Sequence, residues 1–492
     1  MESRRVKTIF LFINFRKMKK KNQFNNSRRE FLRDSSLAAA SFFIIPRHVL
    51  GRGFVAPSDK LNIAGIGAGG KGESDLAEFS KSPNANIIIL CDVDDRQIAA
   101  SVKRFPNAKR YKDFREMLDK EHKHIDAVSV SIPDNVHAVA AISAMQLGKH
   151  VYVQKPLTHD IYEARMLTEA AKRYKVVTQM GNQGASGDGV RLMQEWYNSG
   201  TIGDAHTIKV WTNRPVWPQG TGYPKTTDEV PKELDWDLWL GPAQVQEYHK
   251  EFVPFSWRGF WNFGTGALGD MGCHLIDPAF KVTGLGYPSE VECSAVSIYE
   301  KMWTPDYFPE SCPASSSIKL KFPGKNGKPD VKLYWMDGGI APDRPDELGP
   351  DEKMGGGDGG VLIEGTKGKM MCGTYGANPQ LLPLSRTKEV TVPQTIARVP
   401  EGHYVQWINA CLAGYGRKEV SSPFEYAGPL SETILMGNLA LRSWNIKGAN
   451  GKGFPGRKKL LWDAENMKIT NFDDANQFVK REYRKGYEIN WK

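Results

Sequence analysis

The sequence predicts a two-domain chain: a doubly wound parallel α/β sheet, then an α+β domain with a large, mostly antiparallel sheet. Three observations carry this. Between residues 59 and 182, apolar runs alternate with helical stretches, the pattern of strands covered on both faces. The first apolar run ends in glycines, Gly65-Ile66-Gly67-Ala68-Gly69-Gly70. From residue 183 to 450, strand-like runs follow one another without regular helices between them.

In chain order, Leu61–Ile66, Asn86–Cys91, Ile125–Ile132 and His150–Val153 read as the parallel strands. Glu73–Ser80 and Val136–Leu147 read as helices between them. In the second domain Ala205–Thr212, Glu290–Tyr299, Ile318–Phe322, Val331–Trp335 and Val361–Glu364 read as strands. A Pro/Trp-rich segment, Asn213–Trp261, interrupts them, and Gly355–Gly360, five glycines around Asp358, reads as a loop tip. Two helices, Gly402–Leu412 and Pro429–Leu441, are expected to pack back on the sheets. Residues 451–492 read as a polar C-terminal extension without assigned structure.

The 492 residues carry a net charge of +10, but its location removes its apparent meaning. Residues 1–60 hold 14 Lys/Arg against 4 Asp/Glu, so the remainder is formally neutral and has no global attraction for nucleic acid. The basic part reads as a leader, residues 1–58. Ser27-Arg28-Arg29-Glu30-Phe31-Leu32-Arg33 precedes the short apolar run Leu37–Ile45. That arrangement resembles a bacterial twin-arginine export signal, which predicts a periplasmic protein whose only tie to a membrane is that signal. The six cysteines form no CxxC pair and no zinc-ligand spacing, so no metal is expected.

The glycine turn follows a predicted strand and opens a predicted helix, the context that gives G-x-G-x-x-G its meaning as a Rossmann dinucleotide site. Gly65 permits the tight turn, Gly67 lets the backbone approach a pyrophosphate, and Gly70 allows close contact of helix and strand. Asp92 ends the second strand, where a carboxylate accepts ribose hydroxyls and repels a 2′-phosphate. This favours NAD over NADP, although Arg96 lies near enough to blur the choice.

Two more segments carry chemistry. Lys155 lies in Tyr152-Val153-Gln154-Lys155-Pro156, at the carboxyl end of a predicted strand, where open α/β sheets bind ligands. Asp270 and His274 are four apart in a glycine-rich approach to a helix, which places carboxylate and imidazole one turn apart on one face. Oxidising a carbinol needs a base for the hydroxyl proton while hydride leaves carbon; Lys and His are common bases, and an Asp can orient them.

Together these motifs resemble the glucose–fructose oxidoreductase / inositol dehydrogenase (Gfo/Idh/MocA) family, over roughly Lys60–Leu441. The resemblance implies NAD(P) on the glycine motif, with Lys155 also at the cofactor, and a catalytic group made of Lys155, Asp270 and His274. It departs at Gln154, where the family usually has Glu beside the lysine. Asp235-Trp236-Asp237-Leu238-Trp239-Leu240-Gly241-Pro242 is similar to a segment common in exported members. Association into a dimer or tetramer is implied by the same resemblance.

Arg214, Trp217, Arg258, Trp261 and Asn262 cluster in sequence around the catalytic segment. Stacking Trp with hydrogen-bonding Arg and Asn suits a sugar, and the same Trp residues equally suit the core of a long insertion. The expected activity is hydride transfer to or from a ring carbon of a sugar, glycoside or cyclic polyol, with NAD tightly held. Two alternatives stay open: a redox-neutral glycosidase, as some members of the family are, and a non-catalytic sugar or nucleotide binder.

Overall fold

The structure, a computed structural model, describes residues 59–491; the expected leader lies outside the described residues. β1 (Leu61–Ile66) leads through the glycine turn into α1 (Lys71–Ser80). There follow β2 (Ala85–Cys91), α2 (Ala99–Arg104), β3 (Lys109–Tyr111), α3 (Phe114–Glu121), β4 (Ala127–Val130), α4 (Asp134–Gln146), β5 (His150–Val153), α5 (Ile161–Tyr174) and β6 (Thr178–Met180). The six strands form one parallel sheet ordered β3-β2-β1-β4-β5-β6. Helices cover both faces, which is why every residue of β4 is buried and the runs read as continuously apolar. Asp113 and Asp160 start α3 and α5 by accepting the backbone N–H of Arg115 and Glu163. The strand order reverses between β1 and β4, so the loops after them diverge and open a crevice at the carboxyl edge.

The second part contains α6 (Asp188–Asn198), β7 (Ala205–Thr212), α7 (Trp236–Leu240), α8 (Gly266–Thr283), β8 (Glu290–Ala295), β9 (Ser316–Phe322), β10 (Val331–Met336), β11 (Gly359–Gly365), β12 (Gly368–Cys372) and β13 (Gln380–Leu382). α9 (Arg386–Glu389), α10 (Gly402–Ala413), α11 (Phe424–Trp444), β14 (Leu460–Asp463) and β15 (Lys468–Ile469) follow. Its nine strands are ordered β13-β12-β11-β7-β10-β9-β8-β14-β15. Only β7 and β10 pair in parallel. In β9, buried residues alternate with half-exposed ones. Ile318, Leu320 and Phe322 join the core under α8 and α11. Lys319 and Lys321 turn outward to pair with Glu292 and Glu290 of β8.

Three expectations are corrected. β8 stops at Ala295, and Val296 and Ile298 beyond it are exposed. The glycine run is only partly a loop tip: Gly359 and Gly360 are strand residues pressed on Trp211, whose ring a Cβ at Gly360 would meet at 2.4 Å. The C-terminal extension is structured: β14 adds to the sheet beside β8, and the chain after it packs on α5, where Tyr162 donates its backbone N–H to Val479.

Candidate active site

A cleft of about 510 Å3 runs from the glycine turn to α8. Gly67 and Gly70 both have positive φ, 77° and 52°. A Cβ on Gly67 would lie 2.2 Å from the Ser131 carbonyl oxygen, so the turn sits hard against the loop after β4. Gly65 packs on Leu76. A Cβ on Gly70 would meet nothing, so its backbone angles, and not helix–strand packing, require glycine there. The close contact expected of Gly70 belongs to Gly72, where a Cβ would fall 1.8 Å from the Gly67 oxygen. Gly72→Ala is expected to cost roughly 1–3 kcal/mol and to weaken nucleotide binding; thermal melting and a nucleotide titration check both. An unchanged pair of values would show that the turn can shift freely.

No side chain caps α1; the Gly69 backbone oxygen accepts the N–H of Gly72 and Glu73, and the positive end of the helix dipole is turned to the cleft, where Gly70 and Lys71 line it. Asp92 Oδ2 accepts the N–H of Ala68 at 2.9 Å and of Gly69 at 3.0 Å, and Oδ1 accepts that of Asp94 at 3.0 Å. Burial pushes this carboxyl up against the lowering effect of those hydrogen bonds. Asp92 therefore shapes the turn as well as lining the cleft. Asp94 lines it too, and holds Arg96 through Nε at 2.8 Å and Nη2 at 2.6 Å. Arg96 is thus already paired, and the acidic edge stands against a 2′-phosphate. An uncapped helix, a glycine turn and a carboxylate at the end of β2 fit NAD, with pyrophosphate at α1 and a ribose diol at Asp92.

At the far side of the cleft Lys155, just beyond β5, donates from Nζ to Asp270 Oδ1 and to the Asp270 backbone oxygen, both at 2.8 Å. Arg258 Nε stands 3.6 Å from the same Oδ1. Burial alone would raise the Asp270 carboxyl, but the Lys155 and Arg258 charges outweigh it and hold the group below its ordinary value. His274, one turn further along α8, is buried. Burial, with the Lys155 charge added, pushes its imidazole well below the ordinary value, so it is neutral near pH 7. Its Nδ1 is sealed in without a partner, which leaves Nε2 for a bound hydroxyl.

Residues 61–182 match the NAD-binding Rossmann fold of an oxidoreductase family, and residues 200–298 match the same family's C-terminal alpha/beta domain. Both matched models belong to the Gfo/Idh/MocA oxidoreductase family. It is 25% identical over 255 residues to the levoglucosan dehydrogenase of Pseudarthrobacter phenanthrenivorans, a match covering 50% of this chain and 55% of that protein. It is 30% identical over 151 residues to glycosyl hydrolase family 109 protein 1 of a Shewanella species, covering 28% of this chain and 32% of that protein. The chain thus spans about half the length of the first and a third of the second. Among solved structures, the WlbA dehydrogenase of Bordetella pertussis in complex with NADH and UDP-GlcNAcA aligns with a TM-score of 0.53 at 15% identity. That alignment covers 77% of this chain and 95% of that one, a likeness of fold.

The departure at Gln154 from the family's pattern has a physical reason. Gln154 Nε2 donates at 2.7 Å to Asp75 Oδ2. Asp75 is fully buried and also accepts Lys71, Ser131 at 2.9 Å and Tyr404 at 2.9 Å. A glutamate at 154 would face that carboxylate, whereas an amide donates to it. The carboxylate beside Lys155 is Asp270 instead.

Of the candidate substrate residues, Arg214 and Arg258 line the cleft; Trp217, Trp261 and Asn262 do not. Trp217 is buried and donates from Nε1 to Gln219 at 2.8 Å. Trp261 is taken into the main core. Asn262 is spent on the Gln244 backbone, accepting at 3.1 Å and donating at 3.0 Å. Burying large rings outweighed presenting them, and the same Pro/Trp-rich segment lines the cleft with Trp239, Phe255 and Trp257 instead. Sequence reasoning missed Asp134, Tyr375 and Tyr487. Asp134 accepts Thr265 Oγ1 at 2.6 Å, and burial pushes its carboxyl up to about 6. Its place just after β4 was a usable signal, since ligands bind at strand carboxyl ends. The two tyrosines reach the cleft from remote segments without any local signal.

Proposed function

We propose that this chain is an NAD-dependent oxidoreductase acting on a ring carbon of a sugar, glycoside or cyclic polyol. The observation that carries this reading is the Lys155–Asp270 ion pair beside neutral His274, in the same cleft as an uncapped glycine turn. NAD, when bound, supplies the hydride acceptor, or in the reverse direction the donor. The side chains govern the oxygen. His274 takes the hydroxyl proton at the nitrogen open to the cleft. The Lys155 ammonium, anchored by Asp270, faces the negative charge that develops on the oxygen. Arg214 and Arg258 are placed to bind neighbouring hydroxyls.

The match to a family 109 glycosyl hydrolase favours one second reading, a redox-neutral glycosidase. Oxidation of a ring carbon acidifies the adjacent C–H; the glycosidic oxygen leaves, water adds, and the carbon is reduced again, with no net change of cofactor. The leader supports placing either activity in the periplasm, and self-association belongs to the same proposal.

Purifying the protein without added nucleotide, denaturing it and identifying what is released tests the foundation. Released NAD or NADH is expected, in excess over NADP. A keto-sugar product then selects the oxidoreductase, and free sugars without net NADH select the glycosidase. No released nucleotide, with no binding on titration, would overturn both.

A further inference from the structure

Tyr375 is the one residue of the cleft wall that combines exposure, backbone strain and contact with the catalytic group. It lies in a short turn between β12 and β13, is 46% exposed, and lines the cleft. Its backbone is left-handed, φ 67° and ψ 13°, a conformation that costs energy for any residue with a side chain. Its ring meets the His274 ring edge-on, with centroids 4.6 Å apart. The turn cannot relax easily. A Cβ on Gly184 would stand 2.7 Å from the Tyr375 Cα, and one on Gly189 2.1 Å from the Gly376 oxygen. Two glycines of one segment thus let the strained turn nest against it and hold the ring over the cleft. A half-exposed tyrosine contributes little to the core, and asparagine or glycine would adopt this backbone with less strain. Strain kept at a cleft, held by close backbone packing, marks a positioned group.

We propose that Tyr375 is a specificity-determining residue, a platform beside His274 on which the apolar C–H face of the sugar ring packs. This rests on the sugar reading of the site given above. Such packing orients the ring so that one carbinol meets His274 and Lys155, and it disfavours rings whose axial hydroxyls break the apolar face.

The test uses the full chain loaded with NADH and the probes D-glucose, methyl β-D-glucoside, N-acetyl-D-glucosamine and myo-inositol, titrated by calorimetry. Tyr375→Asn and Tyr375→Phe are compared with the unaltered protein, alongside melting temperature and released nucleotide. For the probes that bind, the Asn variant is expected to weaken binding at least tenfold, with a melting temperature equal to or above the original and unchanged nucleotide content. The Phe variant, which keeps the ring, is expected to stay within threefold. Unchanged probe binding in the Asn variant, or a Phe variant as weak as the Asn variant, overturns the platform. If the unaltered protein binds none of the probes, the sugar reading itself fails and takes the platform with it; the two failures are therefore distinct.

Discussion

Lys155→Met is expected to lower kcat by about 10²–10⁴-fold while leaving the content of bound nucleotide unchanged. The ammonium joins the end of β5 to α8 through two 2.8 Å hydrogen bonds, to the carboxylate and the backbone oxygen of Asp270. Methionine keeps most of the stem and removes the charge. Asp270 then retains only Arg258, at 3.6 Å, against a burial that already favours its neutral form. The loss should therefore grow as pH falls, because Asp270 without Lys155 protonates at a higher pH than before. Lys155→Arg should not restore the rate, since a planar fork cannot replace a compact ammonium at this site. Steady-state kinetics between pH 6 and 9, with nucleotide released on denaturation as the control, check each point. A kcat within threefold of the original would remove Lys155 from the chemistry.

Arg481→Met is the stability counterpart, with an expected cost of about 3–5 kcal/mol at pH 8. Arg481 belongs to the C-terminal extension, yet its side chain is only 11% exposed, packed against α5. It donates to Glu163 Oε1 from Nε at 3.1 Å and from Nη2 at 2.8 Å, reaches the Asn135 backbone oxygen, and lies 3.9 Å from Asp160. Tyr483 donates to the same Glu163 oxygen at 3.0 Å. Burial, then the charge of Glu163, pushes the Asp160 carboxyl above its ordinary value even with Arg481 present. Without the guanidinium both acids are buried and uncompensated, and the Asp160 carboxyl is pushed up further. A carboxyl whose folded pKa lies above its unfolded one favours folding when protonated, so the deficit should grow as pH rises through that folded pKa and shrink below it. Urea denaturation at pH 5.5 and 8 measures this. Equal midpoints for variant and original at pH 8 would show that the pair contributes nothing.

The parallel strands were legible because a sheet covered on both faces demands unbroken apolar runs, as in Ala127–Val130. The dinucleotide turn was legible because its glycines answer local needs, a positive φ or a near contact, that recur wherever the motif does. Lys155, Asp270 and His274 were named through the family resemblance that their motifs carry together; a strand end and a helical turn alone did not decide their role. β3, β6 and β15 were not legible, since strands of two or three residues carry too little pattern, and β14 was not because its pairing depends on β8, far along the chain. Trp217 and Trp261 stayed undecided between core and sugar stacking because sequence reports an aromatic ring but not whether it faces core or cleft; both are buried. Gln154 looked like a lost charge until Asp75, 79 residues earlier, was found against it.

By itself the sequence determined the order of the two domains and the nucleotide turn, which rest on patterns within a few residues, and it supplied through resemblance the three side chains proposed for the chemistry. Tertiary structure alone decided which rings reach the cleft, why Tyr375 stands in strain beside His274, and that the last residues brace α5. Each of these depends on burial and charge pairing between segments that meet only in the folded chain, where no local pattern can record them.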